Sequence, residues 1–128
     1  MATEFRFQNL AIWQRAAQLA IRLDDVSSGL EAKKRFRFAE QLRAASLSIS
    51  NNIAEGSGSN SDKHFIKFLY IARKSAFECA SMLMIFRQQG DLNTDTDALI
   101  AELEAVCKMI VAFARKIEPK SEERRAQR

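Results

Sequence analysis

The residues best equipped for chemistry crowd into one stretch, Gln41 to Gly58, which reads QLRAASLSISNNIAEGSG. It begins with helical apolar spacing and then sets Ser48, Ser50, Asn51, Asn52 and Glu55 close together ahead of two glycines. Ser and Asn compete with the helix backbone for hydrogen bonds, so helix propensity alone does not select them there. Folding this helix against the next as a hairpin about Gly58 brings Gln41 and Arg43 toward Ser75 and Glu78. The expected result is a charge-assisted pair with hydrogen-bonding neighbours inside the fold. In a functional reading, Arg43, Asn52 and Glu55 hold a small molecule or act on it. In a structural reading, the set Gln41, Arg43, Asn52, Glu55, Ser75 and Glu78 fixes helix register and satisfies backbone groups around the Ser59–Ser61 turn. The structural reading is preferred, because no nucleophile, base and orienting group accompany these residues. The chain is not expected to be an enzyme.

Other chemical patterns are weaker still. A di-iron bundle needs Glu-x-x-His pairs on facing helices, and His64 is the one histidine. Gly56-Ser57-Gly58 follows a helix rather than a strand and lacks the lysine spacing of a phosphate loop. Lys63, His64 and Lys67 near a helix start could attract an anion, but Ser59 or Ser61 as a plain N-cap explains that start more simply. Cys79 and Cys107 have no metal or redox spacing and read as small buried hydrophobes. No metal or cofactor is expected.

Charge offers a different kind of site. The chain carries a net charge of +4 and a pI near 9.3. Lys33, Lys34, Arg35 and Arg37 gather at the start of the second helix, and Lys63, Lys67, Arg73 and Lys74 recur along the third. Such runs are ordinarily solvated faces. Repeated by the symmetry of an oligomer, however, weak patches add into one strong field, and RNA or DNA becomes a candidate partner.

These residues must be positioned by helices. One proline and four glycines in 128 residues argue against a turn-rich β fold. Gly29, Gly56, Gly58 and Gly90 are expected at the joints, and Pro119 follows the last apolar repeat. The first helix is expected from an Asn9 N-cap to about Ser27. Leu10, Trp13, Ala17, Ala20 and Ile21 line one face, and Ile12, Ala16, Leu19 and Leu23 the next. The second is expected from Ala32 to Glu55, and the third from about Ser61 through Phe65, Leu69, Ala72, Cys79, Leu83 and Phe86. The fourth, capped by Thr94 or Asp95, carries Leu99, Leu103, Val106, Ile110, Phe113 and Ile117 at alternating spacings of four and three. The fold class is all-α, an antiparallel up-and-down four-helix bundle. Residues 1–8 form an N-terminal arm, 9–117 the bundle, and 118–128 a disordered charged tail.

There is more apolar surface than one bundle uses. The first helix is apolar on two faces, and the third adds Ile66, Tyr70, Phe77, Met82, Met84 and Ile85. The arm adds Phe5 and Phe7. The surplus implies self-association, unless a wide core and a folded-back arm absorb it. No run is long and apolar enough to cross a bilayer, and the first ten residues lack a signal peptide's basic and apolar regions, so a cytoplasmic protein is expected.

The chain also resembles a family: four-helix-bundle proteins related to those encoded in intervening sequences of bacterial 23S rRNA genes. Four segments carry the resemblance: Phe7-Gln-Asn-Leu-Ala-Ile-Trp13, Gln41-Leu-Arg-Ala-Ala45, Ser48-Ile-Ser-Asn-Asn-Ile-Ala-Glu-Gly56, and the pattern from Phe65 through Phe68, Leu69, Ile71, Ala72, Arg73 and Ser75 to Glu78. Asn9 stands where the family usually has Asp, Lys74 replaces a frequent glycine, and no proline interrupts the SISNN segment. The resemblance implies a cytosolic bundle assembled as a ring of five. A distant branch of the architecture is a basic, nucleic-acid-associated accessory to a reverse transcriptase. The functional expectation is therefore a non-enzymatic, pentameric scaffold that binds RNA or DNA non-specifically through its Lys/Arg patches. The alternative is a structural or protein-interaction oligomer with no nucleic-acid role.

Overall fold

The computed structural model describes the backbone of residues 5–92 and 95–126, with side chains described through Glu118. A 3₁₀ turn, Arg6–Asn9, leads into α1 (Ala11–Ala32), α2 (Phe36–Ser57), α3 (Asp62–Gln88) and α4 (Thr96–Ala126). The helices pack in chain order, α1 on α2, α2 on α3 and α3 on α4, and α1 closes the bundle with a lighter contact to α4. Among the described residues there is no strand.

The seams read from the sequence are the core. Ile12, Ala16, Leu19 and Leu23 of α1 are buried with Leu42, Ile49 and Ile53 of α2. Phe65, Leu69, Leu83 and Phe86 of α3 and Leu99, Leu103, Val106 and Ile110 of α4 complete it. The other apolar face of α1 is left half-covered, and Ile21 is 61% exposed.

The joints differ from expectation in three places. Gly29 lies inside α1, which continues to Ala32 because Leu30, one turn beyond Val26, is fully buried and holds the last turn down. The chain then reverses at Lys34, whose φ of 64° is the left-handed conformation normally given to glycine. Gly56 is likewise inside a helix. A Cβ there would lie 2.7 Å from the Phe65 ring and 2.8 Å from Phe68 Cβ, so the missing side chain lets α2 and α3 approach. Gly90, at φ 77°, is a true joint.

Caps follow the expected chemistry with shifted bounds. Leu10 rather than Asn9 occupies the N-cap of α1 and makes no side-chain bond, because Asn9 ends the preceding turn. Ser61 caps α3, accepting from the His64 N–H at 3.2 Å, and Asp95 accepts from the Ala98 N–H at 3.1 Å. Thr94, the other candidate, is outside the described residues. Where a disordered tail over 118–128 was expected, the backbone remains helical to Ala126. Pro119 removes one N–H donor and its ring crowds the carbonyl four residues back, but the residues after it, apart from Ser121, are mostly good helix formers. Residues 127–128 of the expected tail lie outside the described residues.

Aromatic contacts pin both ends. At one end Phe38 stacks on Phe86 with ring centres 4.6 Å apart. Arg35 lies over Phe38 and pairs with Asp91 at 2.9 Å. At the other end the arm folds back: Phe5 stacks on Phe7, Phe7 meets Trp13 at 4.8 Å, and Arg6 sits over the Phe65 ring.

Candidate functional site

The polar set around Gln41–Gly58 does not assemble as the hairpin argument expected. Arg43 turns to α1, not α3. Its guanidinium donates to Asp24 Oδ1 at 2.6 Å, Ser28 Oγ at 3.0 Å and Glu31 Oε1 at 2.9 Å. That partnership raises the arginine's pKa and lowers that of Glu31, in each case chiefly through the hydrogen bond between them. Gln41, Glu55 and Glu78 are exposed and make no pair with Arg43. Across the α2–α3 interface the contact is instead Ser75 Oγ donating to Ser48 Oγ at 2.7 Å. Asn52 Nδ2 donates within α2 to the Ser48 carbonyl at 2.8 Å and to Ser48 Oγ at 2.9 Å. Ser48 thus faces Ser75 where the expected register set it against Leu69, a displacement of about six residues, more than one and a half helical turns. Ser46, Ser50 and Ser57 each return a hydroxyl proton to a carbonyl three residues back. Every buried side-chain polar atom among the described residues has a partner. The bonds that Arg43, Ser48, Asn52 and Ser75 make are made within the fold.

Nor do the basic candidates form one patch. Lys33 donates to the Asp91 carbonyl at 2.7 Å, and Arg35 is held by the Asp91 carboxylate. These two tie the α1–α2 turn to the α3–α4 connection. Lys34 occupies the left-handed turn position, and Arg37 is exposed. Lys63 stands at the opposite end of the bundle, about 38 Å away along a 27-residue helix. Arg73 lies 4.7 Å over the Phe77 ring. Lys63, Lys67 and Lys74 are exposed on α3 and, among the described residues, have no carboxylate partner.

The feature that the polar candidates did not indicate is a groove of about 1000 Å³ along the outside of α3 and α4. Phe77, Ala80, Met84 and Ile85 form its α3 wall, and Ile100, Leu103, Cys107 and Val111 its α4 wall. Phe77 is 57%, Met84 43% and Ile85 50% exposed. Arg73, Lys108 and Arg115 stand around it with the single acid Glu104, which pairs with Lys108 at 3.2 Å. The surplus apolar residues of α3 were its signal in the sequence. Tyr70 and Met82, from the same surplus, instead pack on the core. Cys107 borders the groove half-buried, and burial pushes its thiol pKa up; for buried Cys79 the same cause pushes it to about 12. Neither is an activated nucleophile.

The described residues contain no group of three or more His, Cys, Asp or Glu side chains able to hold a metal ion. They contain no helix long and apolar enough to cross a membrane. The described residues thus present an apolar groove and scattered cations.

Comparison with known proteins agrees with the fold. The structure is similar to the crystal structure of a protein of unknown function from the S23 ribosomal protein family of Bacteroides thetaiotaomicron. The TM-score is 0.77 at 20% identity, covering 81% of this chain and 98% of that one. Among curated proteins, none matches the chain. The family model for the 23S rRNA-intervening sequence protein matches residues 8–112, most of the bundle, and the chain belongs to that family.

Proposed function

We propose that the protein acts without catalysis, as a self-associating helical scaffold. The observation that carries this reading is the open α3–α4 groove, with three large apolar side chains each more than two-fifths exposed. A contiguous apolar surface rimmed by charge is characteristic of an interaction site. The resemblance to ring-forming relatives supports a pentamer. Sedimentation velocity over a concentration series tests self-association directly: a species several times the 14.5 kDa chain is expected, and a monomer throughout would refute it.

A second role, as a platform for RNA or DNA, is favoured by Lys63, Lys67 and Lys74. They are exposed, unpaired among the described residues and at helical spacing on one helix, and assembly would repeat them around a ring. The family's name, which refers to 23S rRNA intervening sequences, supports the same partner class. Changing all three to Glu is the informative substitution, because Lys33 and Arg35 also hold the bundle end together. Binding of labelled RNA and duplex DNA is expected to weaken steeply with salt. For duplex DNA, the triple variant should lose about 2–3 from the log–log salt slope per engaged protomer. Absence of binding at low salt would leave the scaffold without a nucleic-acid role, and its partner would be a protein.

A further inference from the structure

The groove on α3–α4 has a counterpart on the other side of the bundle. Arg43 meets Asp24, and one turn further along each antiparallel helix Ile21 and Leu47 reach the same level on the same outer face. Both protrude, Ile21 at 61% and Leu47 at 52% exposure. Ala17 and Ala20 lie half-buried beside them, and Ala44 is exposed. Because the helices pack in chain order around the bundle, the α1–α2 face is opposite the α3–α4 face. One side therefore presents a low apolar ridge and the other an apolar groove. The charges differ as well. Asp24 and Glu40 flank the ridge, where Arg43 is already engaged by Asp24 and Glu31; Arg73, Lys108 and Arg115 flank the groove, with Glu104 paired to Lys108.

We propose that the α3–α4 groove of one copy receives the α1–α2 ridge of a second copy, with Ile21 and Leu47 seated against Phe77 and Met84. The proposal rests on the self-association proposed above and adds to it which faces meet. Two different faces joined in this way make a heterologous contact, which propagates head to tail and closes into a ring when the rotation allows. A groove-to-groove contact would instead stop at a dimer and would set two rims of net positive charge against each other.

Heterologous pairing has a signature that no isologous contact shares. Leu47→Glu spoils the ridge and keeps the groove; Phe77→Glu does the reverse. Both sites are exposed, so each variant should keep the wild-type helical circular dichroism and be monomeric. Mixed in equal amounts, the two should form a 1:1 heterodimer and nothing larger, since one good joint remains. A second measurement uses no charged substitution. Leu47→Cys, oxidised as the assembled protein, should cross-link to the native Cys107 of a neighbouring copy, identified by peptide mass mapping.

If wild type assembles but the mixture stays monomeric, or mapping finds only links between the introduced cysteines of two copies, ridge-in-groove pairing is wrong while self-association stands. Wild type that is monomeric at every concentration overturns both. Strong binding of the apolar dye ANS to the assembled wild type, abolished by Phe77→Glu, would show the groove unfilled in the assembly and free for a small apolar ligand, which overturns the pairing.

Discussion

Gly56 is the position where a single methyl group tests how the family's Ile-Ala-Glu-Gly segment works. In Gly56→Ala the new Cβ would meet Phe65 Cδ1 at 2.7 Å, Phe68 Cβ at 2.8 Å and Phe65 Cε1 at 3.2 Å. Ordinary carbon contacts lie at about 3.5–4.0 Å, so the closest is short by roughly 0.8–1.3 Å. Neither neighbour yields easily. Phe65 is 1% exposed, with Phe113 against it and Arg6 over its ring. The Cβ of Phe68 moves only with the backbone of α3. Overpacking of this kind costs about 1–3 kcal/mol. Alanine also gains about 1 kcal/mol of helix propensity over glycine, which partly masks the clash. Gly29 supplies the control: it too lies within a helix, and a Cβ there meets nothing within 4 Å. Gly29→Ala should therefore stabilise by about 0.5–1 kcal/mol. The difference between the two variants isolates the clash at about 1–3 kcal/mol, or roughly 3–12 °C in Tm for a chain of this size. Thermal and urea unfolding at one fixed protein concentration would read it, since the self-association proposed above would make Tm concentration-dependent. A Gly56→Ala protein that melts at or above Gly29→Ala would refute the close-approach argument.

Three further outcomes follow from the same structure. The Ser48–Ser75 bond should appear as a coupling of about 0.5–1 kcal/mol in a double-mutant cycle with alanine, read by urea unfolding, whereas Asn52→Ala, which loses bonds only within α2, should couple to Ser75 far less. The carboxyl pKa values of Glu31 and Glu102 are held down, mainly by hydrogen bonds from Arg43 and Arg15; a depressed folded-state pKa gives stability that is present above the ordinary glutamate range and lost as pH falls through the lowered value. Tm should thus hold from neutral pH down to about 5 and fall below about 4.3, with the acid loss reduced in Arg43→Gln; an unchanged acid limb in that variant would contradict the assignment. Finally, a thiol reagent should label Cys107 slowly and Cys79 only on unfolding, and Cys107 should be further protected at concentrations where the protein assembles.

The core was legible because apolar residues recur at helical spacing, and Leu42, Ile49, Leu83, Leu103 and Ile110 are buried as that spacing requires. Glycine punctuation was a poorer guide. Gly29 and Gly56 sit inside helices, one in open space and one for close packing, while the α1–α2 reversal falls to Lys34, a residue type that gives no hint of left-handed backbone. The partners of the polar set were not legible. Arg43 lies on the face of α2 turned to α1, while Ser48, about 140° further round the helix, faces α3. The hairpin register was also off by more than one and a half turns, because nothing in the sequence fixes how far each helix runs past the loop. The groove was half visible: surplus Phe77, Met84 and Ile85 marked the α3 wall, but Cys107 and Val111 of the α4 wall lie beside the seam residues Val106 and Ile110 and carry no separate signal. The cations were visible by type alone, and only geometry shows that Asp91 engages Lys33 and Arg35 while Lys63, Lys67 and Lys74 stay free among the described residues.

The central claim is that this bundle is made to associate with itself through its apolar faces. Native mass spectrometry of the wild-type chain beside Phe77→Glu, at matched concentration and ionic strength, tests it most directly. Wild type should form a closed oligomer at a whole multiple of 14.5 kDa, and the variant a folded monomer. A wild-type monomer, or a variant that assembles as wild type does, would contradict it.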